Sequence, residues 1–220
     1  MGRLARVVLP GVVHHVTQRG VRSMDIFFED KDRNVYLSFL KEQGDKVGLD
    51  FVGYCLMSNH VHLLVVPADE ESLRRGIGEA HRLYTRHINF KTKTRGHLFQ
   101  GRFFSCPLDT SNLLAAARYV ERNPVRAKIC KQAEEYKWSS ASYHLGLKKS
   151  DPLIQRKHKG IGRPKQWRKW LESDPSDINE LRHYFRVGRP YGGEAFIKQA
   201  ELITGRSLFL KKAGRPKNQG

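Results

Sequence analysis

The sequence contains little cysteine, little acid and no long apolar run, and each shortage excludes a class of protein. Its three cysteines, Cys55, Cys106 and Cys130, are odd in number and scattered, which predicts a reduced protein without a disulfide framework. No apolar stretch approaches the roughly 20 residues that a membrane-spanning helix needs. The first residues lack the apolar core of a signal peptide. We therefore expect a cytoplasmic protein without a membrane partner.

Acidic residues number only 22 against 40 Lys and Arg, so the formal net charge of the 220 residues is +18 and the pI is near 10.1. Such an excess of positive charge favours a polyanionic partner over a surface that is simply solvated. We therefore expect association with the nucleoid. Hydrophobic residues make up 39% of the chain, enough for a core, and the length fits one domain with an appendage or two small domains.

The hydrophobic patterns predict the order β-α-β-β-α-β followed by a further helix. The predicted strands cover 11–20, 49–57, 60–66 and 101–109, and the predicted helices cover 31–47, 72–90 and 112–123. Either Thr110 or Ser111 is predicted to cap the last helix. This is the order of a ferredoxin-like α+β fold, in which an antiparallel sheet carries two helices on one face. The further helix can then lie across the other face.

The composition changes after about Gly146. Segment 147–170 is dense in Lys, Arg, Gly and Pro and is predicted to be a linker, followed by short helices at 166–172, 177–186 and 194–203 and a disordered tail. We therefore divide the chain into a domain at 1–146 and a basic, mainly helical extension at 147–220. Gly-Arg-Pro occurs three times, at 162–164, 188–190 and 214–216. These triplets are either ordinary linker sequence or arginines that turn residues hold in a narrow minor groove.

Two histidines, His60 and His62, stand inside one predicted strand. Side chains two residues apart share a strand face, so the two imidazoles can converge on one point, while Val61, Leu63 and Val65 face the core. Neutral imidazole is the commonest protein metal ligand. A pair of half-buried structural histidines fits the same spacing.

Tyr119 and Asn123 are four residues apart in the last predicted helix and so share a helix face. Two imidazoles and one amide oxygen make three neutral ligands, which leave positions on a divalent cation for phosphate oxygens and water, as Mg²⁺ prefers. A phenol beside such a cation is a candidate nucleophile. From spacing alone, a core tyrosine and a helix-ending asparagine remain an equally open interpretation.

Six segments in series resemble the HUH single-tyrosine transposases of the IS200/IS605-like superfamily, and more narrowly the REP-associated tyrosine transposases of bacteria. They are PGVVHHVTQRG, DIFFEDKDR, YCLMSNHVHLLV, GHLFQGRF, ARYVERNPVRA and YKWSSASYHLG, within residues 1–146. The resemblance implies an HUH endonuclease fold. It also implies a metal-dependent enzyme that cleaves and rejoins single-stranded DNA at hairpin-forming repeats.

The resemblance also implies roles for individual residues. Tyr119 would be the nucleophile that forms a 5′-phosphotyrosine, and His60, His62 and Asn123 would bind Mg²⁺ or Mn²⁺. The DNA partner would be a single strand with a REP-like hairpin, bound by a monomer or a homodimer. The candidate DNA contacts are Arg3, Arg6, His15, Arg19, Gln100, Arg102 and Arg126.

Other functions remain open at this stage. A ferredoxin-like sheet also serves as an RNA-binding platform that stacks bases on strand aromatics, so a non-catalytic hairpin-binding protein is one alternative, although the central strand offers His60 and His62 instead. A zinc-dependent hydrolase is another, but its third ligand is usually His, Glu or Asp, and neither motif places an acid there. We expect residues 147–220 to contact DNA phosphates, and the alternative is that their helices gate the catalytic sheet.

Overall fold

The computed structural model describes residues 5–156, 158, 161 and 164–209. Four antiparallel strands form one sheet in the order β2-β3-β1-β4. The elements are β1 (His14–Arg19), α1 (Asp30–Asp45), β2 (Asp50–Leu56), β3 (His60–Val66), α2 (Glu79–Thr92), β4 (Phe104–Pro107), α3 (Thr110–Glu121), α4 (Asn123–Arg126), α5 (Ala141–His144), α6 (Pro164–Leu171), α7 (Ile178–Val187) and α8 (Glu194–Thr204). No helix in these ranges is long and apolar enough to cross a membrane.

The predicted ferredoxin-like order is confirmed, and β2 and β3 form the expected hairpin around Ser58 and Asn59. One face of the sheet packs on α1 and α2. Val61, Leu63 and Val65 all lie on this face, as the two-residue alternation of a strand predicts. Their neighbours are buried side chains of the two helices, which form the first core of the molecule.

The second face of the sheet carries α3, as expected, and also the C-terminal helices. Leu64 of β3 packs in one cluster with Ala117 of α3, Trp167 of α6 and Leu181 of α7. Because α3 contacts β2 and β3 whereas α7 contacts β4 and β1, the two helices divide this face between them. The extension therefore shares a core with the sheet, and the boundary at Gly146 remains a prediction.

The prediction that 147–170 is a linker is wrong, because apolar residues of this segment are buried in the two cores. Leu153 and Ile154 are buried in the first core, and Ile161 and Trp167 are buried in the second. The sequence did not indicate these four buried residues, since the segment is mainly basic and they are spaced along it without a periodic pattern. The tail after residue 209 lies outside the described residues.

The predicted cap of α3 is wrong. Asp109 caps this helix, because its Oδ1 accepts the N–H of Asn112 at 2.9 Å, so neither Thr110 nor Ser111 is the cap. The helix predicted from residue 72 begins there, and it passes through a π-helical turn at Arg74–Gly78 before α2. A Cβ on Gly76 would lie 2.5 Å from the Leu49 side chain, so this glycine permits the close approach of the turn to the core.

The outer edge of β4 is covered by the second Gly-Arg-Pro triplet. Gly188 ends α7 with a φ of +70°, and a Cβ there would lie 3.1 Å from the Ser105 carbonyl oxygen. The N–H of Tyr191 then donates to the carbonyl of Pro107 at 2.9 Å. The triplet therefore protects an exposed strand edge, and residues of the other two triplets lie outside the described residues.

The chain before β1 packs against α8. Val7 and Leu9 form a small third core with Ile197 and Ala200. His14 fixes this arm, because its Nδ1 donates to the carbonyl of Val12 at 2.8 Å and its Nε2 accepts the N–H of Leu9 at 3.1 Å. The N-terminal arm, β4 and the end of the extension consequently meet on one side of the molecule.

Candidate active site

Side chains from both halves of the chain meet on the second face of the sheet. The His60 and His62 rings lie 5.0 Å apart between centroids, and the Tyr119 ring lies 5.7 Å from that of His62. His15, on the neighbouring strand β1, lies 6.4 Å from Tyr119. The structure thus brings the predicted nucleophile to the predicted imidazoles, all within one chain.

The His60 ring is oriented by its neighbour in the chain. Its Nδ1 lies 2.6 Å from Oδ1 of Asn59, whose Nδ2 donates to the carbonyl of Ser23 at 3.1 Å. Because Oδ1 can only accept, Nδ1 of His60 carries the proton. Its Nε2 keeps a lone pair, as a metal ligand requires.

The His62 ring is oriented by His15. Nδ1 of His62 lies 2.8 Å from Nε2 of His15, and Nδ1 of His15 is buried without a partner among the described residues. If Nδ1 of His62 donates this bond, Nε2 of His62 keeps a lone pair. If Nε2 of His15 donates it instead, Nε2 of His62 carries the proton and cannot bind a cation. Only the first arrangement lets His62 bind a cation through Nε2.

Both candidate ligands are neutral at neutral pH. Burial, assisted by the charges of Arg19 and Arg126, lowers the pKa of His60 to about 4. Burial and the adjacent histidines hold the pKa of His62 well below its ordinary value. Two unprotonated imidazoles on one strand face fit a divalent cation, although no group of three His, Cys, Asp or Glu side chains in the described part of the chain could hold one.

The third candidate ligand is Asn123, which offers an amide oxygen instead of an imidazole nitrogen. It begins α4 after the break that ends α3, with Pro124 next to it in the first turn. The residue is buried and is not among the described residues that line the cleft with His62 and Tyr119. Its role as a metal ligand therefore stays a prediction.

Tyr119 is held in place by Arg126. The guanidinium lies 4.1 Å from the centroid of the Tyr119 ring and donates to the Tyr119 carbonyl at 2.8 Å. Asp174 of the extension pairs with both Arg126, at 3.1 Å, and Arg122, at 2.9 Å. Burial opposes the charge of Asp174, but these two arginines outweigh it and lower the pKa of the carboxyl. Arg126, predicted as a DNA contact, thus joins the nucleophile to the extension.

A buried carboxylate on the same helix is a second link to the extension. Glu121 is 1% exposed, and its Oε1 accepts hydrogen bonds from Ser140, at 2.6 Å, and His144, at 2.5 Å. Its Oε2 accepts the Trp167 Nε1–H at 2.7 Å. Burial disfavours charge on His144, but the Glu121 carboxylate outweighs it and raises the pKa of His144. No local sequence pattern indicates the role of Glu121, because its partners lie far along the chain.

The cleft beside Tyr119 has a volume of about 260 Å³ and is lined in part by α7. Phe185 stacks on His15 with centroids 3.5 Å apart and meets the Tyr119 ring edge-on at 5.5 Å. Arg182 and Arg186 line the same cleft, and none of its described lining residues is acidic. The sequence predicts the helix at 177–186 but not where it docks. It therefore gives no indication that Arg182, Phe185 and Arg186 belong to the site.

The remaining predicted DNA contacts divide into two groups. Arg19 and Gln100 line the cleft with Tyr119. Arg6 and Arg102 lie together on the far side of Phe104, in a separate pocket. Arg3 lies outside the described residues.

This arrangement places a hydroxyl nucleophile, two neutral imidazoles and a cationic groove together, which suits the transfer of a phosphoester group. A family model described as "Transposase IS200 like" matches residues 12–123, which include all the proposed metal ligands and Tyr119. Comparison with curated proteins finds no match.

One of two matching solved structures supports the fold. A REP-associated tyrosine transposase bound to a REP hairpin matches with a TM-score of 0.54 at 12% identity, covering 74% of this chain and 98% of that one. A protein described as a transposase of Deinococcus radiodurans R1 matches with a TM-score of 0.38 at 15% identity, covering 58% of this chain and 92% of that one. The family match over residues 12–123 shows that this chain belongs to the IS200-like transposases, as a single-tyrosine HUH enzyme that acts on DNA.

Proposed function

We propose that this transposase is a metal-dependent endonuclease and strand transferase that cleaves and rejoins single-stranded DNA at hairpin-forming repeats. The observation that carries the proposal is the approach of the Tyr119 ring to within 5.7 Å of His62, on the strand face that also holds His60. The hairpin partner is proposed by analogy with the similarly folded protein that is bound to a REP hairpin.

Mg²⁺ or Mn²⁺ would be held by Nε2 of His60, Nε2 of His62 and the amide oxygen of Asn123. When bound, the cation would draw charge from a non-bridging oxygen of the scissile phosphate. The protein residues would do the rest of the positioning. Asn59 and His15 orient the ligand rings, and Arg126 fixes the attacking ring.

In the cleavage step, the hydroxyl oxygen of Tyr119 attacks phosphorus as the bond to the 3′ oxygen breaks. The phenolic proton leaves to solvent, and the departing 3′ oxygen takes up a proton to become a hydroxyl. The 5′ phosphate is then esterified to Tyr119. Arg182 and Arg186 supply positive charge along the cleft, where negative charge accumulates during the attack.

Rejoining reverses these bonds. A second 3′-hydroxyl attacks the phosphotyrosine, the bond between phosphorus and the tyrosine oxygen breaks, and Tyr119 regains a proton. The ester energy is kept in the covalent intermediate, so no nucleotide cofactor is required. Tyr119 stands beside the histidines of its own chain, which supports a complete active site in each monomer.

The test uses single-stranded hairpin DNA labelled at either the 5′ or the 3′ end, incubated with the full-length protein and Mn²⁺ or Mg²⁺. A 5′-phosphotyrosine leaves the 3′-terminal fragment on the protein, so only the 3′ label should migrate with the protein on a denaturing gel. Tight hairpin binding without any adduct would favour the non-catalytic alternative. An adduct that carries the 5′ label would contradict the proposed polarity.

A further inference from the structure

A second pocket, of about 270 Å³, lies beside the outer edge of β4, where the N-terminal arm and the extension meet. Four arginines line it, two from the catalytic part of the chain and two from the extension. We call it the arginine pocket and define it by Arg6, Arg102, Ser105, Arg189 and Arg206. Arg189 belongs to the second Gly-Arg-Pro triplet, which has no assigned role in catalysis.

Three of these guanidinium groups are half-buried, and each is anchored by a backbone carbonyl. Nε of Arg6 donates to the carbonyl of Phe103 at 3.1 Å, and Nη1 of Arg206 donates to the carbonyl of Arg6 at 3.0 Å. Nη1 of Arg189 donates to the carbonyl of Ser207 at 2.6 Å. A guanidinium has five N–H donors, so each group is fixed in direction while most of its donors stay unused.

The pocket concentrates positive charge without compensation. Arg102 forms no hydrogen bond or ion pair in the part of the chain that the structure describes, and none of the described lining residues is acidic. Burial, with a contribution from Arg102, lowers the pKa of Arg6 to about 10. Holding like charges together costs free energy, which an anion in the pocket would recover.

A buried hydroxyl on the pocket wall is also unsatisfied. Ser105 is 3% exposed, and its Oγ has no hydrogen-bond partner within the described ranges. Leaving a buried polar group unpaired costs about 1–3 kcal/mol, so such groups are uncommon in folded proteins. A hydroxyl beside four arginines can donate to an anionic oxygen.

The pocket is connected to the catalytic cleft through one exposed aromatic residue. Phe104 lines both cavities, and 46% of its surface is exposed. Exposed aromatic rings beside a basic groove are a common platform for the unpaired bases of single strands. A strand that leaves Tyr119 could therefore stack on Phe104 before its backbone reaches the arginines.

We propose that the arginine pocket binds a backbone phosphate of the single-stranded DNA held in the catalytic cleft, with an adjacent base stacked on Phe104. This inference rests on the proposed function, and it gives the extension a specific part in DNA binding. The phosphate oxygens would accept from the unused donors of the arginines and from the hydroxyl of Ser105.

The sharpest test is Ser105→Ala in the full-length protein. A hydroxyl with no protein partner contributes nothing to folding, so the melting temperature without DNA should stay the same or rise. If the hydroxyl donates to a phosphate, the Kd for a fluorescent single-stranded hairpin should increase about tenfold. Unchanged affinity in this folded variant would overturn its part in the site.

Arg102→Gln is the companion variant, because its exposed side chain anchors no backbone group. Losing one phosphate contact should reduce the slope of log K against log salt by about 0.7 on single strands. Lys198→Gln removes the same charge from α8, in an exposed i,i+4 pair with Glu194, and serves as the matched control. A slope equal to that of the control would contradict the proposal.

The outcomes separate this inference from the proposed function. Failure of the wild type to bind or cleave hairpin DNA would overturn the proposed function itself. Wild-type binding with an unaltered Kd in Ser105→Ala and an unaltered slope in Arg102→Gln would overturn only the pocket assignment. Free phosphate shares the same chemistry, so a melting-temperature series with inorganic phosphate is included. Stabilisation by phosphate that Ser105→Ala abolishes, together with unaltered DNA slopes, would show a free-anion site instead.

Discussion

Nε2 of His15 lies 2.8 Å from Nδ1 of His62, so a side chain of β1 sets the orientation of a candidate metal ligand on β3. Partners of this kind fix the tautomer of a ligand, and their loss typically lowers metal affinity by about 10–100-fold. We expect His15→Ala to weaken Mn²⁺ binding by this factor in calorimetry. His15→Gln should restore part of the affinity, because its amide oxygen can accept the same hydrogen bond.

The control for this experiment is His97→Ala, which removes an exposed imidazole away from the site. Wild-type Mn²⁺ affinity in a folded His15→Ala protein would show that the contact between His15 and His62 serves packing alone. Loss of affinity in His97→Ala would show that the calorimetric signal arises elsewhere.

Substitution of the ligands themselves should have a larger effect. We expect His60→Ala and His62→Ala each to abolish measurable Mn²⁺ binding and cleavage, while circular dichroism shows a folded protein. His60 is only half-buried, so its removal should disturb packing little. Wild-type-like Mn²⁺ binding in both variants would make the pair structural. Asn123→Ala is expected to weaken binding without abolishing it, because two imidazoles remain.

The nucleophile is tested by Tyr119→Phe. The ring contacts to His62, Arg126 and Phe185 persist in this variant and only the hydroxyl is lost. We therefore expect hairpin affinity within a few-fold of wild type and no covalent adduct on a denaturing gel. Tyr143→Phe is the matched control, since Tyr143 is half-buried against the first core. An adduct formed by Tyr119→Phe would assign the nucleophile to another residue.

A local sequence pattern was sufficient for the histidine pair. Two-residue alternation placed His60 and His62 on one face, because it depends only on strand geometry. The helical repeat was less successful, since α3 ends at Glu121 and Asn123 begins α4, so Tyr119 and Asn123 do not share one continuous helix. The element order then followed from where such patterns begin and end.

Local patterns did not predict the parts of the site that depend on contacts between distant segments of the chain. The register that sets Thr17 opposite His62 and His15 opposite Leu64 brings His15 beside the ligand, and no local feature of β1 predicts that register. Phe185 enters the cleft only because α7 docks on the sheet, 66 residues after Tyr119 in the chain. The chain before β1 gives no local pattern that would join Arg6 to Arg206.

The shared core changes how the extension can be tested. Trp167 is fully buried and donates to the carboxylate of Glu121, so truncation after Gly146 would expose the second core and leave a buried charge without its donor. We expect the truncated protein to lose most of its stability. Trp167→Ala should cost about 3–5 kcal/mol in urea unfolding, and Trp167→Phe about 1–3 kcal/mol, since it leaves Oε2 of Glu121 without its donor.

Exposed Trp170 is a suitable control, because Trp170→Ala removes the same ring from a surface position of α6. Equal destabilisation by the two alanine substitutions would contradict the packing argument.

Buried histidines should make the stability of the protein fall in mild acid. Burial, with a contribution from Arg6, lowers the pKa of His81 to about 3, and burial lowers that of His14 to about 4. The unfolded chain has ordinary histidines with a pKa of about 6.5. Below pH 6.5 the unfolded state therefore binds protons that the buried histidines of the folded state do not bind. The free energy of unfolding consequently decreases as the pH falls.

For His81 alone, the loss between pH 6.5 and pH 4.5 should be about 2 kcal/mol. The Tyr36 hydroxyl lies 2.8 Å from Nε2 of His81, and the amide of a glutamine there can either accept from it or donate to it. We therefore expect His81→Gln to flatten this part of the profile by that amount. The measurement is the free energy of urea unfolding across the pH range, compared with wild type. His97→Gln removes a histidine that is exposed in the folded chain as well, so its profile should follow wild type. Parallel profiles for wild type and His81→Gln would show that burial does not keep His81 unprotonated in the folded state.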